Sequence, residues 1–415
     1  MSDSESEGFF LSRQPIVAGE RRLIGWELAF GSAAGVNLAE GEENSDAYLA
    51  AAMEFAKTAT WDSLLCGGRA LIPVDRRLIF SDVVEHMPRN RILLGLAPYD
   101  EVDANLSNRL HDLHGRRGTR LLFFGYRRRD PREQLLDLTD AVEIDAFGLD
   151  DDARSLLIRR AQRRNLQVLA TSVECDADFV RTRDNGFELF AGRSYSEHSS
   201  DEETQATAEG KLLLQLLVEA RGELEIEPVT QQIQADPALE EGLLRLVNSL
   251  ELARAQKIEN VGQALIMIGA KGLSRWLNLL LFQIGSKHGT RGPLFRVAAT
   301  RARLMELLTG AGAEEATPET KAKGEMAFLV GIMSLVHVLL GVDRSAAIGG
   351  LTLPDEMQVA LASHQGELGR LLRLTECLDS GEFPEVAEIS QELGLTPAAI
   401  WEQQSEAFDW VMRMI

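Results

Sequence analysis

The sequence predicts two folds in series: an α/β (β/α)8-like barrel whose first strand is inverted, then an all-α helical bundle. Three observations carry this. Up to about residue 205, short β-rich runs alternate with helical segments, the pattern of βα units. The first two runs are joined only by Ala18-Gly19-Glu20, too short a link for a crossover helix, so they pair antiparallel. Beyond about residue 205 the strand signals stop and apolar residues recur at helical spacing.

The expected strands are 15–17, 23–30, 70–74, 92–96, 120–124, 141–144, 167–171 and 187–190. Helices are expected between most of them, at 46–59, 100–113, 151–164 and 176–184. Each of these opens on an Asp suited to an N-cap or to the positive first turn. The region is compact for a barrel of this kind. In the second half, Leu212, Leu213, Leu216 and Leu217 form one apolar face. Leu239, Leu243, Leu246 and Val247 form a second, and Leu368, Leu371, Leu372 and Thr375 a third. Helix breaks and starts are marked at Asp236-Pro237, Gly269, Gly292-Pro293, Thr317-Pro318, Leu353-Pro354, Phe383-Pro384 and Thr396-Pro397. The chain is thus read as a polar tail (1–8), a barrel (9–198), a linker (199–207) and a helical domain with a C-terminal extension (208–415).

Composition narrows the function. Lys and Arg number 43 against 64 Asp and Glu, a net charge of −21, which disfavours nucleic acid because phosphate backbones are bound by neutralising them. Cys66, Cys175 and Cys377 lie far apart without CxxC spacing, which indicates neither a zinc site nor a disulfide framework and suits the cytoplasm. The N-terminus MSDSESEG is acidic where a secretory signal would be basic and then apolar. The longest apolar stretch, 326–340, falls short of the roughly 20 residues of a membrane span and reads as a buried helix.

Residues 13–31, RQPIVAGERRLIGWELAFG, resemble the opening of an EAL-family barrel, in which a Gln-Pro-Ile strand precedes a strand ending in Glu-Ala-Leu. The tripeptide here is Glu27-Leu28-Ala29. The helical half resembles the HDOD domain, a relative of the HD phosphohydrolases without their metal motif. It does so through DPALEEGLLRLVNS at 236–249, NVGQALIMIGAKGLSRWLNLLLF at 260–282 and AFLVGIMSLVHVLLG at 327–341. The resemblance implies a bacterial signalling protein of EAL–HDOD arrangement.

It also implies where a cyclic-di-GMP phosphodiesterase would keep its two divalent metals, and most of those places hold other residues. Glu27 stands at the Glu of the tripeptide. Pro73 stands where an Asn ligand belongs, Gly95 where a Glu belongs, and Phe124-Gly125 where an Asp pair belongs. Glu143 replaces a catalytic Lys, while Asp145 keeps the acid that follows. Thr171 replaces one Glu and Glu174 keeps another. Gly31 stands where an Arg holds a nucleotide phosphate, and Ala191 and Arg193 fall where Gln-Gly-Tyr contacts a guanine. Glu27, Asp145 and Glu174 are therefore read as vestigial, with no metal and no cofactor expected. An isolated carboxylate in a barrel mouth has to be solvated or paired, for which Arg193 is a candidate.

In the helical half, Ser334-Leu335 stands where an His-Asp pair would bind metal. The dipeptide His111-Asp112 reads as a solvated helix pair, and the runs Arg127 to Arg129, Arg159-Arg160 and Arg163-Arg164 read as solvated faces. The expectation is a catalytically inactive signalling protein that works through protein partners. A non-hydrolytic cyclic-di-GMP receptor is the alternative, and an active phosphodiesterase the third reading.

Overall fold

A computed structural model describes residues 8–39, 44–98 and 102–196, then 226–235, single positions between 237 and 247, and 258–285, 292–310, 317–340, 342–349 and 353–414. The expected linker, most of the tail and the apolar face at Leu212 to Leu217 lie outside the described residues. So do Leu239, Leu246 and Asp100. Two compact units are formed, one by Met1–Glu197 with Arg373–Glu406, the other by His198–Leu372 with Ala407–Ile415.

Eight strands close the first unit into a barrel in sequence order: β1 (Phe9–Ala18), β2 (Leu23–Ser32), β3 (Arg69–Val74), β4 (Ile92–Leu96), β5 (Arg120–Phe123), β6 (Thr139–Glu143), β7 (Gln167–Ala170) and β8 (Leu189–Ala191). β1 runs antiparallel to both β2 and β8, and every other pair is parallel. The inverted first strand follows from its turn. Ala18 accepts from the Arg21 N–H at 2.8 Å and donates to the Arg22 carbonyl at 2.9 Å, so the chain reverses within four residues.

Period-two alternation gives each strand an inward row. Ile16, Leu71, Leu122, Ala141, Leu169, Leu189 and Ala191 meet as the barrel's inner apolar cluster. The opposite rows are apolar as well, as parallel strands covered by helices require. The helix Ser45–Thr58 turns Tyr48, Ala51, Ala52, Phe55 and Ala56 inward, the spacing of one apolar stripe.

β1 is longer than its apolar run suggested. It pairs with β8 only at 16–18, and β2 pairs with β3 only at 25–27, so 9–15 and 28–32 pair with each other alone and extend beyond the carboxyl end of the barrel as a ribbon. Both faces of this ribbon are covered, and the β2 edge is paired, the Leu38 N–H donating to the Phe30 carbonyl and the Ser32 N–H to the Val36 carbonyl, both at 2.9 Å. On one face Phe9 and Phe30 meet Phe55, and Phe9 and Phe55 meet Trp401 of the helix Pro397–Met414. Gln404 of the same helix donates to the Leu11 carbonyl at 3.2 Å.

Helix caps follow the acids with small shifts. Asp103 caps Ala104–Arg117 by accepting from the Leu106 N–H at 2.7 Å, which corrects the expected opening at residue 100. Asp150 caps Asp151–Gln162 in the same way, with Asp151 and Asp152 in its first turn. Cys175 caps Asp176–Asp184.

In the second unit every described secondary-structure element is a helix. Gly292 and Pro293 open Pro293–Leu308, and the Thr317 hydroxyl caps Pro318–Met333. Gly269 breaks Val261–Gly285 with φ +64°. Leu243, Val247, Leu368, Leu371, Leu372 and Thr375 are buried, as the spacing requires, Thr375 lying within the first unit's share of its helix.

Candidate functional site

Strand register places the expected site residues together. Leu71, Leu122, Ala141, Leu169 and Leu189 face inward, so Pro73, Phe124, Glu143, Thr171 and Ala191, two residues further along, face inward at the carboxyl end. Gly95 pairs with Leu122 and Glu27 with Leu71, which sets both on the same side.

What these residues do there differs from a ligand set. The ring of Phe124 lies against Gly95 so closely that a Cβ on Gly95 would fall inside its van der Waals envelope. Pro73 contributes only its carbonyl, which accepts from the buried Tyr48 hydroxyl; burial and the nearby Asp75 push that phenol up. Glu143 accepts from the Gly125 N–H at 2.6 Å and from the Thr171 hydroxyl at 3.3 Å. Burial pushes the Glu143 carboxyl up even so, and Asp145 adds to the rise.

Among the described residues no arginine pairs with Glu27. It is half-buried, and burial together with the charge of Glu143 raises its pKa to about 7. Two neighbouring carboxyl groups in this setting retain protons that separated acids would release.

The other expected acids are engaged. Asp145 accepts from the Phe147 and Gly148 N–H groups at 3.0 and 2.7 Å, closing the turn after β6. Glu174 accepts from Arg193 Nε at 2.7 Å, and the same guanidinium lies 3.6 Å from Glu382. Arg193 therefore has two acids rather than an open face for a phosphate. Burial alone would lower this guanidinium, but Glu174 and Glu382 outweigh it and raise its pKa.

Two features lay outside the sequence reading. Arg127, Arg128 and Arg129 are solvated, but Arg132 three residues on is fully buried. It donates to Asp130 through Nε and Nη2 at 2.8 and 2.7 Å, to the Leu96 carbonyl at 2.6 Å and to the Phe124 carbonyl at 2.9 Å, tying together the ends of β4 and β5. Burial would raise Asp130, yet the hydrogen bonds and charge of Arg132 hold its carboxyl below the usual range. Asp130 before Pro131 was the available signal, an N-cap followed by a proline at the first helical position.

The second feature is the segment 380–384, which joins the helices Gly366–Ser380 and Phe383–Glu392 and packs on the inward face of the ribbon. Gln14 Nε2 donates to the Ser380 carbonyl at 2.7 Å, and the buried Phe383 ring fills the space over Gly31. Among the described residues, one cluster has the ligand types and spacing for a metal: Cys377, Glu382 and Glu385. Arg373 already occupies it, donating to Glu385 at 2.7 Å and to Glu382 at 2.8 Å.

In the second unit, the Ser334 hydroxyl is fully buried, donating to the Gly331 carbonyl and accepting from Arg301 Nη1 at 2.8 Å. His111 and Asp112 lie on a helix surface, Asp112 paired with Arg109 and Arg116.

Comparison with known proteins adds relatives. The family model of the HDOD domain matches residues 213–339. The uncharacterized protein YuxH of Bacillus subtilis is 24% identical over 412 residues, 97% of each chain. The cyclic di-GMP phosphodiesterase CdgJ of Vibrio cholerae is 26% identical over 414 residues, 97% of this chain and 92% of that one. A standalone EAL protein from Vibrio cholerae, solved in its c-di-GMP bound form, is 20% identical with a TM-score of 0.35 over 46% of this chain and 91% of that one. No helix among the described residues is long and apolar enough to cross a membrane. The chain thus carries a match to the HDOD domain behind a closed eight-stranded barrel, and over nearly its whole length it is similar to a cyclic di-GMP phosphodiesterase.

Proposed function

We propose that the barrel does not hydrolyse cyclic-di-GMP and that the protein serves a bacterial signalling pathway as a partner-binding regulator in the cytoplasm. The observation that carries this is the filling of the mouth by the chain itself. Two divalent ions need several oxygen ligands converging from different strand ends. Here the inward ring offers the carboxyls of Glu27 and Glu143 and the hydroxyl of Thr171, interrupted by Pro73, Gly95 and Phe124. Each Glu143 oxygen already accepts one hydrogen bond, from Gly125 and from Thr171, and burial shifts both Glu143 and Glu27 towards their neutral forms. This donor set does not fit a pair of magnesium or manganese ions. Asp145 and Glu174 are vestigial in the same sense, one closing a turn and the other pairing Arg193.

Receptor function is the second reading, favoured by a single feature: Arg193 sits at the mouth and is partly exposed. Calorimetric titration with cyclic-di-GMP separates the two, with micromolar binding supporting the receptor. The test of the main reading is turnover of cyclic-di-GMP with magnesium and with manganese. No hydrolysis above buffer is expected, and hydrolysis that disappears in Glu27→Ala would overturn it.

A further inference from the structure

We propose that the carboxyl mouth of the barrel is the docking site of the chain's own segment 380–384, seated there as a latch with a charged half and an apolar half. The seat is built on both sides. Gly381, with φ +74°, ends its helix in a Schellman arrangement: the Glu382 N–H reaches back to the Cys377 carbonyl at 3.0 Å, and this aims Glu382 and Phe383 at the barrel.

The apolar half is Phe383, fully buried over Gly31, with Gly35 beneath its carbonyl. Any side chain at Gly31 would meet the ring, so the place that the family resemblance assigns to a phosphate-binding Arg is occupied by this aromatic. The charged half alternates acids and guanidinium groups: Glu174, Arg193, Glu382, Arg373 and Glu385. The Glu382 carboxylate thus faces the cation that an anionic ligand of the mouth would seek. Ser380 fixes that carboxylate, its hydroxyl donating to Glu382 at 2.8 Å, while Gln14 holds the Ser380 carbonyl.

One group beneath the latch favours its opening. Ser12 Oγ is sealed beside Gly381 with no hydrogen-bond partner among the described residues, a deficit that water cancels when the segment lifts. The pairs of Arg193 are partly exposed and therefore screened by salt, whereas the contact of Phe383 is not. Opening would uncover Gln14, Gly31 and Arg193 together, a surface for a partner.

Hydrogen exchange on the full chain tests this. Phe383→Ala is expected to speed exchange at 9–15, 28–32 and 376–388 by about tenfold or more, with β4 to β6 changed less than about twofold. Glu382→Gln, which keeps volume, is expected to speed the same segments by about two- to fivefold; about 0.5 M sodium chloride should reproduce that in the wild type and add little to the variant. Unchanged exchange of the ribbon in both variants overturns the latch. Should Phe383→Ala lose protection everywhere, Glu382→Gln and the salt series decide. Hydrolysis by the wild type would sink the preceding reading, while uncoupled exchange would sink this one alone.

Discussion

Two inward rows of the same barrel, one pleat apart, are built by different rules. The deeper row is aliphatic: Leu71, Leu122, Leu169 and Leu189 interlock with Ile16 and Ala141, and volume-conserving apolar swaps there cost little. The outer row is a set of mutual fits. Phe124 needs Gly95, and Glu143 needs Gly125 and Thr171; behind the strand ends, outside the row itself, the buried Arg132 likewise needs Asp130 and two carbonyls. The deeper row holds the barrel closed through area, and the outer row through pairwise complementarity, so the two respond differently to substitution.

The largest break in that contrast is expected at Arg132. Arg132→Ala leaves Asp130 buried without its cation and frees the carbonyls of Leu96 and Phe124, a loss of about 3 to 5 kcal/mol. Urea unfolding should show it. Asp130→Asn/Arg132→Met should recover part of it, since removing both charges avoids the unpaired one.

A smaller and pH-dependent effect belongs to Glu27. Its folded value of about 7 lies above the ordinary 4.5, so the native state holds this proton longer than the unfolded chain does. The contribution is complete below about pH 4.5 and is lost as pH rises through about 7. At about 1.4 kcal/mol per tenfold change in proton affinity, the loss reaches at most about 3 kcal/mol. Glu27→Gln should flatten stability between pH 5 and 8 and stabilise the chain at the alkaline end, which denaturant curves across that range would check. An unchanged slope would mean that Glu27 is ionised throughout.

The smallest effect tests the Phe124 contact. Gly95→Ala should cost about 1 to 3 kcal/mol by overpacking against the ring, and Phe124→Ala should remove most of that cost when the two are combined. Additive single effects would show that the ring yields freely.

The deeper row was legible because alternation of apolar residues is a local signal, and the strands at 92–96, 167–171 and 70–74 needed nothing else. The positions of Glu27, Pro73, Gly95, Phe124, Glu143 and Thr171 at the mouth were legible through resemblance. Their roles were not. Nothing in Val-Glu-Ile-Asp says that Glu143 will take a backbone N–H from Gly125, which lies 18 residues earlier. Arg132 was hidden by three solvated arginines just before it, since composition cannot tell which member of a basic run is turned inward. The return of 373–406 to the barrel unit was the hardest to foresee. Its helices carry ordinary apolar stripes, and a stripe records that something is covered without recording what.

Paired fits also constrain the order in which residues can change. At Gly95 and at Gly31 a longer side chain is blocked by one aromatic ring, Phe124 in the first case and Phe383 in the second. A path that restores an acid at the first position or a guanidinium at the second must first pass through a smaller residue in place of the ring, and that step by itself leaves a hole. The two glycine–phenylalanine pairs therefore act as ratchets on the barrel's sequence, easy to enter from a looser mouth and uphill to leave by single steps.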